Sequence, residues 1–216
     1  MTTTHDTPAT LSDFEDEFNG HLELDKDAQD LLFRAARTAN TFTDEPVSDE
    51  QVRAIYDLVK WAPTSMNNQP LRIVLVRSPE ARARLVEHMG GNNKPKTSTA
   101  PLVAILAADT DFHDEFGKVF PHFAGARDIF AGNDEMREGS ARLNATLQVA
   151  YFILGIRAAG LAAGPMTGFD APALDREFFP DGAHRTLAVV NIGHPGPDAW
   201  FDRLPRLDYD EVVTTV

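Results

Sequence analysis

The chain has 216 residues, 43% of them hydrophobic and 25% charged, which is ordinary globular material with a core that needs no covalent staple. It contains no cysteine, so disulfides, a thiolate nucleophile, cysteine-held zinc and iron–sulfur ligation are all excluded. A formal net charge of −13 repels phosphate backbones and anionic membranes, which argues against nucleic-acid and membrane partners.

The acidity is uneven. Residues 1–30 hold nine acids against one base, Lys26, and carry −8 of the charge, so local basic clusters can survive in the rest. Residues 1–21 read as an acidic, flexible arm and residues 22–216 as one domain. The opening Met-Thr-Thr-Thr-His has neither the basic nor the apolar part of a signal peptide. The longest apolar run, Val149–Ile156, is eight residues and is closed by Arg157, so a soluble, cytoplasmic protein is expected.

In chain order, Leu24, Ala28, Leu31, Leu32 and Ala35 recur at helical spacing and predict a first helix from Leu22 toward Arg34. Ser48-Asp49-Glu50-Gln51 is a capping box and opens a second helix. Its expected buried stripe is Val52, Ile55, Tyr56 and Val59, and it stops near Ala62-Pro63. Leu71–Val76 is a β-branched run and predicts a strand; Ser78-Pro79-Glu80 starts a short helix that ends at Gly90-Gly91. Leu102–Ala108 is apolar throughout and predicts a strand buried on both faces. Residues 109–135 show no clear period.

Arg142–Ala163 predicts the longest helix. Leu143, Leu147, Ala150, Tyr151, Leu154, Ala158 and Leu161 lie on one side, and Val149, Ile153 and Ile156 widen it. So apolar a helix belongs in a core or a large subunit interface. Leu187–Ile192 is a third strand. This order predicts an α+β fold, with helices packed on a central, mainly antiparallel sheet.

The common catalytic frameworks are missing. No Gly-x-Gly-x-x-Gly follows a strand, and there is no P-loop, no Gly-x-Ser-x-Gly elbow and no His-x-x-x-His pair. Asp109, Asp111, His113 and Asp114 can be drawn as a metal cluster, but their spacing reads better as a solvated turn.

Four polar segments at the edges of core elements remain. Arg37 and Thr38, in Ala36–Phe42, suit a phosphate, or else a helix C-terminus with a dipole-pairing arginine. Trp61–Pro70 packs amides and hydroxyls between two prolines, which suits the heteroatom edge of a flat ring, or else a plain turn. Asn93-Lys94-Pro95-Lys96 precedes a buried strand, as a binding or a surface loop. Gly164-Pro165-Met166-Thr167-Gly168-Phe169-Asp170 follows the long helix, and Gly168 lets backbone approach a ligand, unless the segment is only a helix stop and turn.

Together the four resemble the nitroreductase family of FMN-dependent oxidoreductases. Ala36–Phe42 is similar to the family's opening Arg-Arg-Ser-x-Arg-x-Phe-like segment, and Ala62-Pro63-Thr64-Ser65-Met66-Asn67-Asn68-Gln69-Pro70 to its Ala-Pro-Ser-x-x-Asn-x-Gln-Pro. Asn93 and Lys96 match its Asn-x-x-Lys. Pro165–Phe169 corresponds to its Pro-x-Glu-Gly-Phe-like turn, and Arg203-Leu204-Pro205-Arg206 to its basic C-terminal strip. Lys60–Ser65, Gly164–Asp170 and Arg203–Leu207 look closest to the malonic-semialdehyde reductase branch, linked to pyrimidine degradation.

The resemblance implies a nitroreductase-like interleaved homodimer with two FMN sites at its interface and NAD(P)H as hydride donor. It implies that Arg37, Thr38 and Arg203 or Arg206 hold the phosphate, with Asn40 nearby. Pro63, Thr64 and Asn67 would reach the flavin from the partner subunit. Asn93 and Lys96 would lie at the pyrimidine edge, with Pro165, Met166 and Thr167 around the ring and the Gly168 amide near N5. Asn40 and Thr167 depart from the family's usual Arg or Lys and Glu, which leaves Lys96 as the main cation at the N1/O2 edge and makes the pocket less acidic. No side chain need be a nucleophile or general acid, and a shared site for donor and acceptor implies ping-pong kinetics. The implied reaction is reduction of a small electrophile, such as malonic semialdehyde to 3-hydroxypropionate. The alternatives are a general nitroaromatic, quinone or enone reductase, a flavin enzyme of another reaction type, and a non-catalytic flavin-binding module.

Overall fold

The computed structural model describes residues 21–216, and the chain divides after Ala36 into two compact units. The acidic arm, apart from His21, lies outside the described residues. In the first unit, Asp25 accepts from the Ala28 amide at 2.8 Å and caps α1 (Lys26–Gln29). This helix widens into a π-helical turn over Asp30–Arg34, and Leu22 and Leu24 precede it rather than joining it.

The second unit, from Arg37 onward, opens its helices with α2 (Asp49–Val59). Here the predicted capping box is made in full: the Gln51 amide donates to Ser48 Oγ at 3.2 Å and the Ser48 amide to Gln51 Oε1 at 2.9 Å. Ile55 is buried on this helix, but Tyr56 is 52% exposed, a correction to the predicted stripe. Next come β1 (Leu71–Val76), α3 (Pro79–His88), α4 (Asn93–Thr99) and β2 (Leu102–Asp109). The unread stretch after β2 forms a 3-10 turn (Phe112–Glu115), α5 (Phe116–Val119) and α6 (Ala126–Ala131). The rest is α7 (Asp134–Ala158), β3 (Ala162–Met166), α8 (Ala171–Phe178), β4 (His184–Gly193) and α9 (Tyr209–Val212).

The sheet has the order β1-β2-β4-β3, and every neighbouring pair is antiparallel. Alternate residues of β2 serve two layers. Leu102, Ala104 and Leu106 pack with Val149, Phe152 and Ile156 of α7, while Val103, Ile105 and Ala107 pack with Leu85 of α3 and Leu174 of α8. Helices cover both faces, which is why this strand is apolar at every position.

The long helix differs from expectation at both ends and in its orientation. It starts at Asp134, where Asn133 accepts from the Met136 amide at 3.0 Å, and it ends at Ala158. Gly160 has a φ of 74°, a left-handed conformation that stops the helix, and Ala162 and Ala163 belong to β3, a fourth strand. The buried face carries Ala141, Asn144, Ala145, Val149, Phe152, Gly155 and Ile156. The predicted stripe faces outward instead: Leu143, Leu147 and Tyr151 are 62%, 46% and 41% exposed. Small residues point inward because α2 lies close; a Cβ on Gly155 would sit 2.5 Å from Val59 Cγ1.

The register places the candidate segments on opposite edges of the sheet, with the turn at Gly168 following the end of β3 at the level of Ile105. Leu71 pairs with Ala108, so the loop before β1 lies where β2 finishes. Ala163 pairs with Ile192 and Ile192 with Leu102, so β3 begins where β2 begins, and α4 immediately precedes that end.

Candidate functional site

Along the β3 edge of the sheet a line of hydrogen bonds joins three of the segments singled out above. The Gly168 carbonyl accepts from the Gly90 amide at 2.8 Å and from Asn93 Nδ2 at 3.0 Å. A Cβ on Gly90 would come 2.8 Å from that carbonyl oxygen, so the backbone approach needs glycine at 90, while a Cβ on Gly168 would push the Asn93 side chain aside. One turn further along α4, Lys96 Nζ donates to Asn40 Oδ1 at 2.6 Å. The Ala39 amide is bonded to the Ala163 carbonyl at 2.9 Å and the Asn40 amide to the Ala199 carbonyl at 3.0 Å, which fixes the 37–40 segment against β3. Gly164 permits this seat, because a Cβ there would meet the Ala39 carbonyl oxygen at 2.6 Å. Arg37 donates to the Phe201 carbonyl at 3.3 Å, and Lys96 Nζ lies 5.7 Å from the centre of the Phe201 ring.

This edge offers unspent groups on a fixed frame. The Gly168 N–H and Asn93 Oδ1 have no partner among the described residues, and Arg37 is exposed with its single bond to Phe201. Asn191, in β4 opposite Gly164, is 1% exposed with both side-chain amide atoms unpartnered among the described residues. A glycine cradle, an ammonium and an exposed guanidinium suit a planar, heteroatom-edged ligand that carries an anion. The residues present therefore fit a flavin mononucleotide.

Several candidates take other parts. Asn40 is buried and its polar atoms are all engaged within the protein, so it cannot itself bind phosphate. Met166 is a core side chain whose sulfur accepts from the buried Thr97 hydroxyl at 3.9 Å, and Pro165 is a paired residue of β3. Thr38 and Thr167 are exposed. In the exposed C-terminal strip, Arg206 donates to the Leu204 and Pro205 carbonyls at 2.9 and 3.1 Å, while Arg203 is also exposed.

At the Asp109 end the Pro63–Pro70 loop is locked onto α7. The Ser65 amide donates to Asn144 Oδ1 at 2.8 Å, Asn68 Nδ2 to Ser140 Oγ at 3.2 Å and the Leu71 amide to Gln148 Oε1 at 3.0 Å. Met66, Asn67 and Gln69 have φ values of 51°, 51° and 40°. Non-glycine residues in that region cost of order 1–2 kcal/mol each, so these bonds hold a strained backbone. The Gln69 amide donates to Thr64 Oγ1 at 3.3 Å, and Asn67 Nδ2 reaches the Val119 carbonyl of α5 at 2.8 Å. Pro63 is exposed.

Beyond the loop, Phe112, Phe116 and Phe130 form an edge-on and tilted cluster with centroids 5.1–5.8 Å apart. The acids once drawn as a metal cluster are ion-paired: Asp109 with Arg72 at 2.6 Å and Asp114 with Arg127 at 2.7 Å.

The sequence reading took Gly90 only as a helix stop and Gly164 only as part of its segment, and it missed Ala199 and Phe201; all four act through backbone atoms or lack of a side chain, apart from the Phe201 ring. It also missed Ser140, Asn144 and Gln148. The signal for these was present: polar residues recurring at four-residue steps within an apolar helix.

A model of the nitroreductase family matches residues 33–194. A Streptomyces coelicolor protein, provisionally named an NADH dehydrogenase/NAD(P)H nitroreductase, is 67% identical over 195 residues, 90% of this chain and 99% of that one. Among solved structures, a provisionally named nitroreductase of Bacillus subtilis superposes with a TM-score of 0.78 at 21% identity, covering 86% of this chain and 97% of its own. One from Exiguobacterium sibiricum, solved in complex with FMN, gives 0.77 at 19% identity, covering 90% and 99%.

Proposed function

The chain belongs to the nitroreductase family, and on that premise we propose that it binds FMN between two copies of itself. It uses NAD(P)H to reduce a small electrophile, with malonic semialdehyde, converted to 3-hydroxypropionate in the cytoplasm, as the finer reading. One observation carries this proposal: two half-sites, each built in detail, stand on opposite edges of one sheet, at β1 and β3, roughly 14 Å apart across the strands. A second copy that brings its Pro63–Asn67 loop to the Lys96 edge completes the slot. The outward stripe of α7 and the exposed apolar residues Phe201, Leu204 and Leu207 supply the surface such a pairing buries.

Bound FMN supplies the centre that accepts and donates hydride. The chain's residues bind and orient it. Arg37 holds the phosphate, with Arg203 or Arg206 and the Thr38 hydroxyl beside it. Asn93 offers Oδ1 to an N–H of the pyrimidine edge, since its Nδ2 is committed to Gly168. Lys96 places a cation at the N1/O2 edge, and the pinned Gly168 amide aims a donor at N5.

Thr167, next to Gly168, makes the pocket less acidic than a glutamate would, which suits a carboxylate-bearing aldehyde. Thr167→Glu is expected to raise KM for anionic substrates and not for neutral ones; an unchanged ratio in steady-state assays removes the argument for that substrate class. The decisive experiment is a visible spectrum with light scattering, then NADPH oxidation across aldehydes, enones and nitro compounds. A yellow dimer with parallel double-reciprocal lines is expected. A colourless monomer that takes up no FMN overturns the proposal.

A further inference from the structure

Asn40 is 8% exposed, and each of its side-chain polar atoms has a defined task. Nδ2 donates to the Ala199 carbonyl at 3.2 Å and to the Thr38 carbonyl at 3.3 Å. Both neighbours are pure acceptors and Lys96 is a pure donor, so the amide has only one sensible orientation, with Oδ1 on the ammonium. We propose that Asn40 is a positioning residue that holds the Lys96 ammonium toward the bound ligand while leaving its charge uncompensated.

The physical argument rests on the neutrality of the amide. Lysine is a point charge on a flexible stem, and ordering it costs rotamer entropy. A carboxylate at position 40 would fix the ammonium but neutralise it. A cation there would repel it. An amide oxygen at 2.6 Å fixes it and leaves the full positive charge available. The backbone bonds to Ala199 seat Asn40 on the segment that also carries Phe201, whose ring lies under the same ammonium. A cation preorganised in this way favours a ligand state with more negative charge at the facing edge.

This inference rests on the reading that the pyrimidine edge of FMN faces Lys96, and the test separates the two. Wild type, Asn40→Ala, Lys96→Gln and the double variant are compared for FMN dissociation constant and for the midpoint potential of the bound flavin. Asn40→Ala is expected to weaken reduced relative to oxidised FMN about tenfold, a midpoint about 30 mV more negative for a two-electron couple. In the Lys96→Gln background the same substitution is expected to produce no further shift. Equal shifts in both backgrounds, or none in either, overturn the positioning role while the flavin reading stands. A wild type that binds no FMN overturns both. Should Asn40→Ala fail to fold, Asn40→Ser carries the same comparison: a more negative midpoint that vanishes in the Lys96→Gln background supports the inference, and equal shifts in both backgrounds, or none in either, overturn it.

Discussion

The two edges of the sheet hold their polar groups in opposite ways. At the β3 edge the backbone is the frame: carbonyls of Gly168, Ala163 and Ala199 fix the segments, and Lys96, Arg37 and the Gly168 amide keep capacity for a ligand. At the β1 edge, by Asp109, the side chains are the frame. Asn144, Ser140 and Gln148 are spent on a strained loop, and Arg72 closes it by donating to the Gln69 and Leu71 carbonyls at 3.0 and 3.1 Å. One edge therefore offers charge and hydrogen bonds, and the other a fixed shape. A ligand slot made from both needs two copies of the chain, since each copy presents the halves at separate edges.

Four substitutions probe that contrast. The largest effect is expected at Phe112, fully buried in the aromatic cluster of the Asp109 end: Phe112→Ala should cost about 3–5 kcal/mol in urea unfolding. Flavin affinity at the β3 edge, measured below the transition, should change far less. Arg37→Ala removes the phosphate contact and should cost about 1.5–3 kcal/mol in FMN binding. The apoprotein's melting temperature should stay unchanged while that of the FMN-saturated protein falls toward it; a fully yellow variant with unaltered melting refutes the phosphate role.

Asn144→Ala leaves the Ser65 amide without its acceptor and should destabilise by about 1–3 kcal/mol. If FMN affinity falls with it, the loop's shape belongs to the slot; if affinity is unmoved, the loop is only structural. The smallest effect concerns Asp181, also at the Asp109 end. The hydrogen bond with His184, followed by the Ala183 backbone bond, holds its carboxyl below the ordinary 3.8. A lowered carboxylate stabilises the fold above its unfolded value, and that contribution is lost as pH falls through the folded one. Because the group is exposed, Asp181→Asn should flatten the acid limb of a stability–pH profile by only a few tenths of a kcal/mol.

Much of the local structure was legible because its causes are local. The Ser48 capping box, the β-branched run of β1 and the wholly apolar β2 each declare themselves within a few residues. The orientation of α7 was not legible, since its outward stripe is more apolar than its inward one. The inward face is chosen by how closely α2 can approach Gly155, which hydrophobicity does not record. β3 was hidden for a related reason: Ala-Ala-Gly-Pro-Met has no strand pattern, and pairing with β4 imposes the conformation.

The same division holds at the site. By itself the sequence determined which residue types gather in which segments, because Arg37, Lys96, Gly168 and the Pro63–Pro70 loop are chemically conspicuous where they stand. Only the tertiary structure decided their tasks. It bonded Asn40 to Lys96, buried Met166, and set the two halves on opposite edges of the sheet. Hydrogen bonds such as Asn40 to Ala199 and Ser65 to Asn144 join residues 159 and 79 positions apart. Partners so distant are chosen by packing and strand register, which a short stretch of sequence cannot encode.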